Sequence, residues 1–338
     1  PALKGYRQAW NTLEPFAVFA TITFILFAIV LLIIGARDSK MDRPGFIERS
    51  LVYNLSSKIA ALPMIFTAVG VFIIATLWTV YHSFTNSRML PKSEFIGLAQ
   101  YERLWNSDRW YMSIENLAIY GACSLIFSLF IGFMLAALLD QKTRFENTFR
   151  TIFLYPFALS FIVTGLVWQW ILNPEYGVEK IVRSIGFESF VFNPLYNIDI
   201  VIYGILAAGR WQGTGFIMCL MLAGLRGIDQ EIWKAARIDG IPMWKTYIQV
   251  VIPMMRPVFI TTLVIIAAGI IKVYDLVVAQ TSGGPGISSE VPAKYVYDYM
   301  FSAQNLGQGF AASTMMLVSV LIVLIPFAYL EFGRRKHG

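Results

Sequence analysis

Charge is scarce in this chain. Only 14% of its 338 residues are Asp, Glu, Lys or Arg, while 57% are hydrophobic, where a soluble domain carries roughly a quarter charged residues. That deficit excludes an ordinary soluble protein and points to an integral membrane one. Cysteine is nearly absent: Cys123 and Cys219 both fall inside apolar runs, with no CxxC or Cys/His ligand spacing, so neither a disulfide framework nor a zinc site is supported. The only histidines are His82, which reads as a side chain at the lipid headgroups, and His337 in the tail. Two such separated residues argue against metal catalysis. No GxxxxGK[ST] occurs, so the chain has no phosphate-cradling loop, and any ATP that drives it is bound by a partner. The formal charge of +6 does not signal nucleic acid, because Lys and Arg lie in loops beside apolar runs, where they set orientation.

What the chain does have is long apolar segments. Residues 15 to 35 carry no charge over 21 positions, enough at about 1.5 Å per residue for the roughly 30 Å hydrocarbon core. Six more follow, near 58–84, 115–140, 150–172, 199–225, 257–281 and 310–331. Counting Lys and Arg in alternate loops gives 16 on the side that includes 226–256 and the Arg334-Arg335-Lys336 tail, against nine on the other. The bias places that loop and the tail in the cytoplasm.

Glu231 to Pro257 is the only long polar break that itself has the pattern of short helices. From Gln230 to Ile238, Ile232, Ala235, Ala236 and Ile238 fall near one side, and Glu231, Lys234 and Arg237 on the other. Asp239-Gly240 supplies a C-terminal stop, and Pro242 suits the first turn of a second helix. The spacing of Glu231, Ala235-Ala236, Asp239-Gly240 and the later Val250 and Ile252-Pro253 resembles the cytoplasmic EAA loop of ABC importer permeases. Lys234 stands where that family usually has a glutamate, and Ile241 where a small residue is common. The resemblance extends over about 58–338. FIGLAQYERLW at 95–105 with Asn116, the run from Gly132 to Gly177, Trp211 with Gly215-Phe216, and Tyr274-Asp275-Leu276 followed by TSGGP at 281–285 are similar to segments of the carbohydrate-uptake branch.

The resemblance implies an all-α integral membrane protein: a type I ABC importer permease with six core transmembrane helices, a cytoplasmic coupling helix and one extra N-terminal helix. Residues 1–40 are then an added helix or fusion ahead of a start at Met41, and 58–338 the transmembrane domain, with 226–256 as coupling loop. Glu231, Lys234, Ala235, Ala236, Asp239, Gly240 and Pro253 would couple to the ATPase. Implied partners are a second homologous permease, two cytoplasmic ABC ATPases that carry ATP and Mg, and a periplasmic sugar-binding protein. The setting is a bacterial inner membrane, with a sugar as cargo and no cofactor or metal held by this chain.

Ionisable groups within a bilayer cost several kcal/mol unless paired or wetted, which makes Arg210, Lys272 and Asp275 informative. On one continuous helix Lys272 and Asp275 share a face and form an i,i+3 ion pair. Either Asp275 neutralises Lys272 or Arg210 and fixes packing, or these groups line the pathway with Gln212 and Tyr274. Sugars need flat apolar faces and oriented polar groups. Trp211-Gln212 and Trp168-Gln169-Trp170 offer that chemistry, although Trp168 and Trp170 sit where an interfacial aromatic belt is expected. Trp211 lies midway along its segment, where a belt gives no account of it. Two other classes stay open on residues alone: an ion-coupled carrier, which calls for matched midplane acids in two repeats, and a membrane-embedded enzyme.

Overall fold

The computed structural model describes residues 64–92, 94–141 and 144–334; the apolar segment at 15–35, residues 1–40 and Met41 lie outside the described residues. By contact the chain divides between Tyr81 and His82. The described part of the first unit is one apolar helix, α1, running Met64–His82 to the boundary.

The second unit is helical, with a single isolated bridge between Thr85 and Phe95 among the described residues. After the short α2 (Ala99–Trp105) comes α3 (Asp108–Asp140) of 33 residues, about 50 Å long and so longer than the hydrocarbon core. Its buried positions, including Tyr120, Ser124, Ser128, Gly132 and Ala136, recur every three or four residues and are mostly small. In lipid, where apolar burial gives no net drive, small residues let backbones approach. The partner is α7 (Val201–Arg226). Gly132 meets Ile217, Arg210 donates to Ser128 and Arg226 reaches Asp140; the partner numbers rise together, so the two helices run parallel.

Two expected spans are broken. The segment at 150–172 is α4 (Glu146–Leu154), one 3₁₀ turn at Tyr155–Ala158, and α5 (Phe161–Ile171), whose axis turns by 101°. Pro156 has no N–H to continue the first helix, and the Ser160 hydroxyl caps the second by accepting from Val163 N–H at 3.2 Å. Gly215 of α7 accommodates the bend: a Cβ there would stand 1.9 Å from the Phe153 carbonyl oxygen. Beyond α6 (Val178–Ser184) and α7 come α8 (Gln230–Ile238) and α9 (Met243–Met254).

The segment at 257–281 is α10 (Arg256–Ile271), a break at Lys272 to Tyr274, and α11 (Asp275–Thr281). Lys272 and Asp275 therefore do not share a helix, and the expected i,i+3 ion pair is absent among the described residues. Instead α11 packs on α5, with Gly165 against Ala279. The chain leaves the helix at the TSGGP stretch, through left-handed Ser282 and Gly283. It re-enters at α12 (Pro292–Tyr297) and ends in α13 (Leu306–Arg334). Three described helices are long and apolar enough alone to cross a membrane, or five if α4 with α5, bent by 101°, and α9 with α10, bent by 71°, each count as one span.

The end of the molecule away from α8 is tied by charge. Arg109 on α3 donates to Glu290 at 2.9 Å and to Asp298, Lys294 pairs with Asp298 at 2.7 Å, and Asn116 donates to the Ser288 and Glu290 carbonyls at 2.8 and 2.9 Å. Trp110 meets Tyr295 edge-on at 5.2 Å beside this network. His82 is buried against Phe310, not placed at headgroups as expected; its ring faces the Thr85 hydroxyl at 3.4 Å.

Candidate functional site: a coupling knuckle and a broken span

The helix-turn-helix between α7 and α10 is built from local chemistry. The Asp229 side chain caps α8 by accepting from Glu231 N–H at 3.0 Å. At the other end, Gly240 adopts φ 68°, its N–H reaches the Arg237 carbonyl at 3.2 Å, and Ile241 N–H reaches Ala236 at 3.0 Å. This paired arrangement closes a helix when a left-handed residue follows it. Asp239 is the C-cap, and Pro242 lies just before the next turn.

The rotation of α8 differs from expectation. Ile232, Trp233 and Ala236 turn inward, whereas Ala235 and Ile238, 85% exposed, face out beside Glu231 and Lys234. At 100° per residue, positions 232, 233 and 236 share one arc and 238 lies almost opposite. Trp233 belongs to this inward arc, and its place beside Ile232 and three before Ala236 is the sequence signal for it. Its ring meets Tyr247 on α9 at 5.3 Å, and Tyr247 meets Phe133 on α3 at 6.2 Å. An aromatic chain thus joins the knuckle to a helix that crosses the bilayer. Outward, Ile238, Trp244 and Ile248 are exposed, as is Pro253. Lys234 is satisfied locally by Glu231 at 2.8 Å, an exposed pair of small energetic weight.

The candidate solute-facing residues separate into two groups. Arg210 is tied to Ser128 and stands 5.8 Å over the Tyr120 ring. Gln212, 2% exposed, donates to the Leu159 carbonyl at 2.6 Å, just where the bend of α4 into α5 leaves that group without a helical partner. Both hold the frame. Trp211, 41% exposed, is open, with Trp168 edge-on at 6.1 Å. Trp168 is itself half-buried against the core, which corrects its assignment to a belt; Trp170 is exposed. Lys272 and Asp275 are exposed on either side of half-buried Tyr274, whose ring lies tilted against that of Tyr297 at 5.3 Å.

A multi-pass helical protein with two broken spans and an externally folded knuckle is the architecture of a transport subunit. The chain belongs to the family of binding-protein-dependent transport system inner membrane components, which it matches over residues 128–336. It is 35% identical over 267 residues to a probable ABC transporter permease protein of Pyrococcus horikoshii, covering 78% of this chain and 91% of that one. A trehalose/maltose transport system permease protein of Thermococcus litoralis is 29% identical over 281 residues, covering 82% and 92%. A glucose import system permease protein of Saccharolobus solfataricus is 27% identical over 267 residues, covering 78% and 92%. In fold the chain is similar to the structure of a bacterial alginate ABC transporter in complex with alginate pentasaccharide-bound periplasmic protein: TM-score 0.73, 18% identity, 84% of this chain and 96% of that one. The protein is thus an ABC importer permease, a non-enzymatic inner-membrane component, and the carrier and enzyme readings fall away.

Proposed function

We propose that the chain forms one half of the pathway of an ATP-driven sugar importer, moved through its coupling knuckle. The observation that carries this reading is the two-faced α8–α9 element: one face is joined through Trp233 and Tyr247 to α3, and the other presents Ile238 and Trp244 to a partner. A partner ATPase, holding ATP and Mg, would press on that outer face, with Glu231, Lys234, Ala235, Ala236, Asp239, Gly240 and Pro253 forming and shaping the contact. The loop after α11 is the TSGGP stretch of the carbohydrate-uptake branch, and relatives named for trehalose, maltose and glucose agree with it. A second permease would complete the pathway and a periplasmic binding protein would deliver the cargo. Trp211, Lys272, Tyr274 and Asp275 would face the solute, while Arg210 and Gln212 act from behind.

The test uses the importer isolated whole in mild detergent and placed in vesicles. Uptake of trehalose, maltose or glucose should require ATP; uptake driven by an ion gradient without an ATPase would refute the reading. Trp211→Ala should slow uptake about tenfold through loss of an aromatic face, with normal folded yield. Gln212→Ala should lower folded yield instead, because it strands the Leu159 carbonyl at about 1–3 kcal/mol.

A further inference from the structure

The outer turn of the chain offers a feature that the coupling and pathway residues leave unused. Helix α12 and the π-helical turn after it, Asp298–Ser302, carry two opposite faces. Lys294, Tyr295 and Asp298 lock one face onto Arg109 and Trp110 of α3. The other presents Tyr297 and Phe301, four residues apart, 45% and 68% exposed, with ring centroids 5.0 Å from each other. Tyr297 in turn stands 5.3 Å from Tyr274 in the break between α10 and α11, so three aromatic rings form a continuous row.

The environment of this row is set by charge. Helix α10 rises about 24 Å from Arg256 before the break, so the break lies toward the outer end of a span of roughly 30 Å. Lys272 and Asp275 flank Tyr274, are exposed, and have no ion-pair partner among the described residues. Two such groups facing lipid would cost several kcal/mol each. This face is therefore wet.

Resting on the sugar-importer reading, we propose that Phe301, Tyr297 and Tyr274 form an aromatic track that receives pyranose rings outside the membrane and passes them to the break, where Lys272 and Asp275 meet the hydroxyls. Aromatic faces suit the apolar faces of a pyranose and tolerate sliding, since stacking has no fixed donor geometry. A row of three rings exceeds the length of one sugar ring, so the track favours a disaccharide over a monosaccharide. The charge network on the opposite face of α12 holds the row in register.

The experiment measures sugar moved per ATP hydrolysed by the whole importer with its binding protein, using trehalose, maltose and glucose. Tyr297→Leu with Phe301→Leu should lower this ratio about fivefold for the disaccharides, whereas the ring-keeping pair Tyr297→Phe with Phe301→Tyr should retain it. A variant that only misfolds loses both rates together and keeps the ratio. An unchanged ratio in the leucine variant, or an equal fall in the ring-keeping one, overturns the track while the sugar reading stands. Loss of the second permease from the leucine variant on purification overturns it too, by showing a protein contact at this face. If the unaltered importer moves none of the three sugars, the sugar reading itself is overturned and the track with it.

Discussion

Replacing Arg109 with methionine removes one charge from a network of two bases and two acids while keeping most of the buried stem. Glu290 is 2% exposed and Arg109 29%. Stripping one partner from a fully buried pair costs about 3–5 kcal/mol, and from an exposed pair about 0–1. With one end dry, the other part-wet, and Lys294 still 3.5 Å from Glu290, the expected cost is about 2–3 kcal/mol. For a unit of this size each kcal/mol moves Tm by about 2–4 °C, so Arg109→Met should melt about 5–10 °C lower in the same detergent. The charge argument makes a sharper demand. Arg109→Met leaves two carboxylates on one ammonium, whereas Arg109→Met with Asp298→Asn leaves Glu290 and Lys294 as a neutral pair. The double variant should recover at least half of the lost Tm, a coupling of about 1–2 kcal/mol. Additive losses, or a single variant within 1 °C of wild type, would mean that the network is not what ties α12 to α3.

The same network responds to acid: burial opposes ionisation of Asp298, but Lys294 and Arg109 outweigh it and hold the carboxyl below its ordinary value. A depressed native pKa gives stability that is complete above the unfolded value of about 3.9 and lost as pH falls through the lower native one; wild-type Tm should drop below about pH 4, and Asp298→Asn should flatten that limb. At Gly240, φ is 68° and a Cβ would meet nothing within 4 Å, so substitution strains the backbone without a clash. Gly240→Val should cost about 1–2 kcal/mol locally and uncouple ATP hydrolysis from uptake without blocking membrane insertion, while Gly240→Asn, tolerant of this conformation, keeps most coupling; equal transport by all three would remove the turn from the mechanism.

The parts of the fold that were legible in the sequence are those whose causes lie within a few residues. The bounds of α8 emerge as expected, Gln230–Ile238, because Asp229, Gly240 and Pro242 start and stop it by local hydrogen bonds and backbone preference. The rotation of α8 was not legible, since it depends on Tyr247 and, through it, Phe133 on a distant helix. The clasp joins Arg109 to a residue 181 positions away, and no periodicity reports such a pair.

The two broken spans separate these causes further. At 155–160 a proline and a capping serine mark the bend, yet the unbroken apolar character of 150–172 outweighs them in any reading by composition. At 272–274 there is no proline or glycine. The break depends on α11 packing against α5, where Gly165 admits Ala279, and that contact is tertiary. The local trace of it is polarity: Lys272 and Asp275 stand in an otherwise apolar run. Charge within an apolar run calls for something to compensate it. An ion pair along one helix was the simplest compensation, but it requires the helix to continue. Once α10 ends at Ile271 the two residues no longer share one helix, and both stand exposed. The wet path proposed for the permease would account at once for the fault in the helix and for the charges on either side of Tyr274.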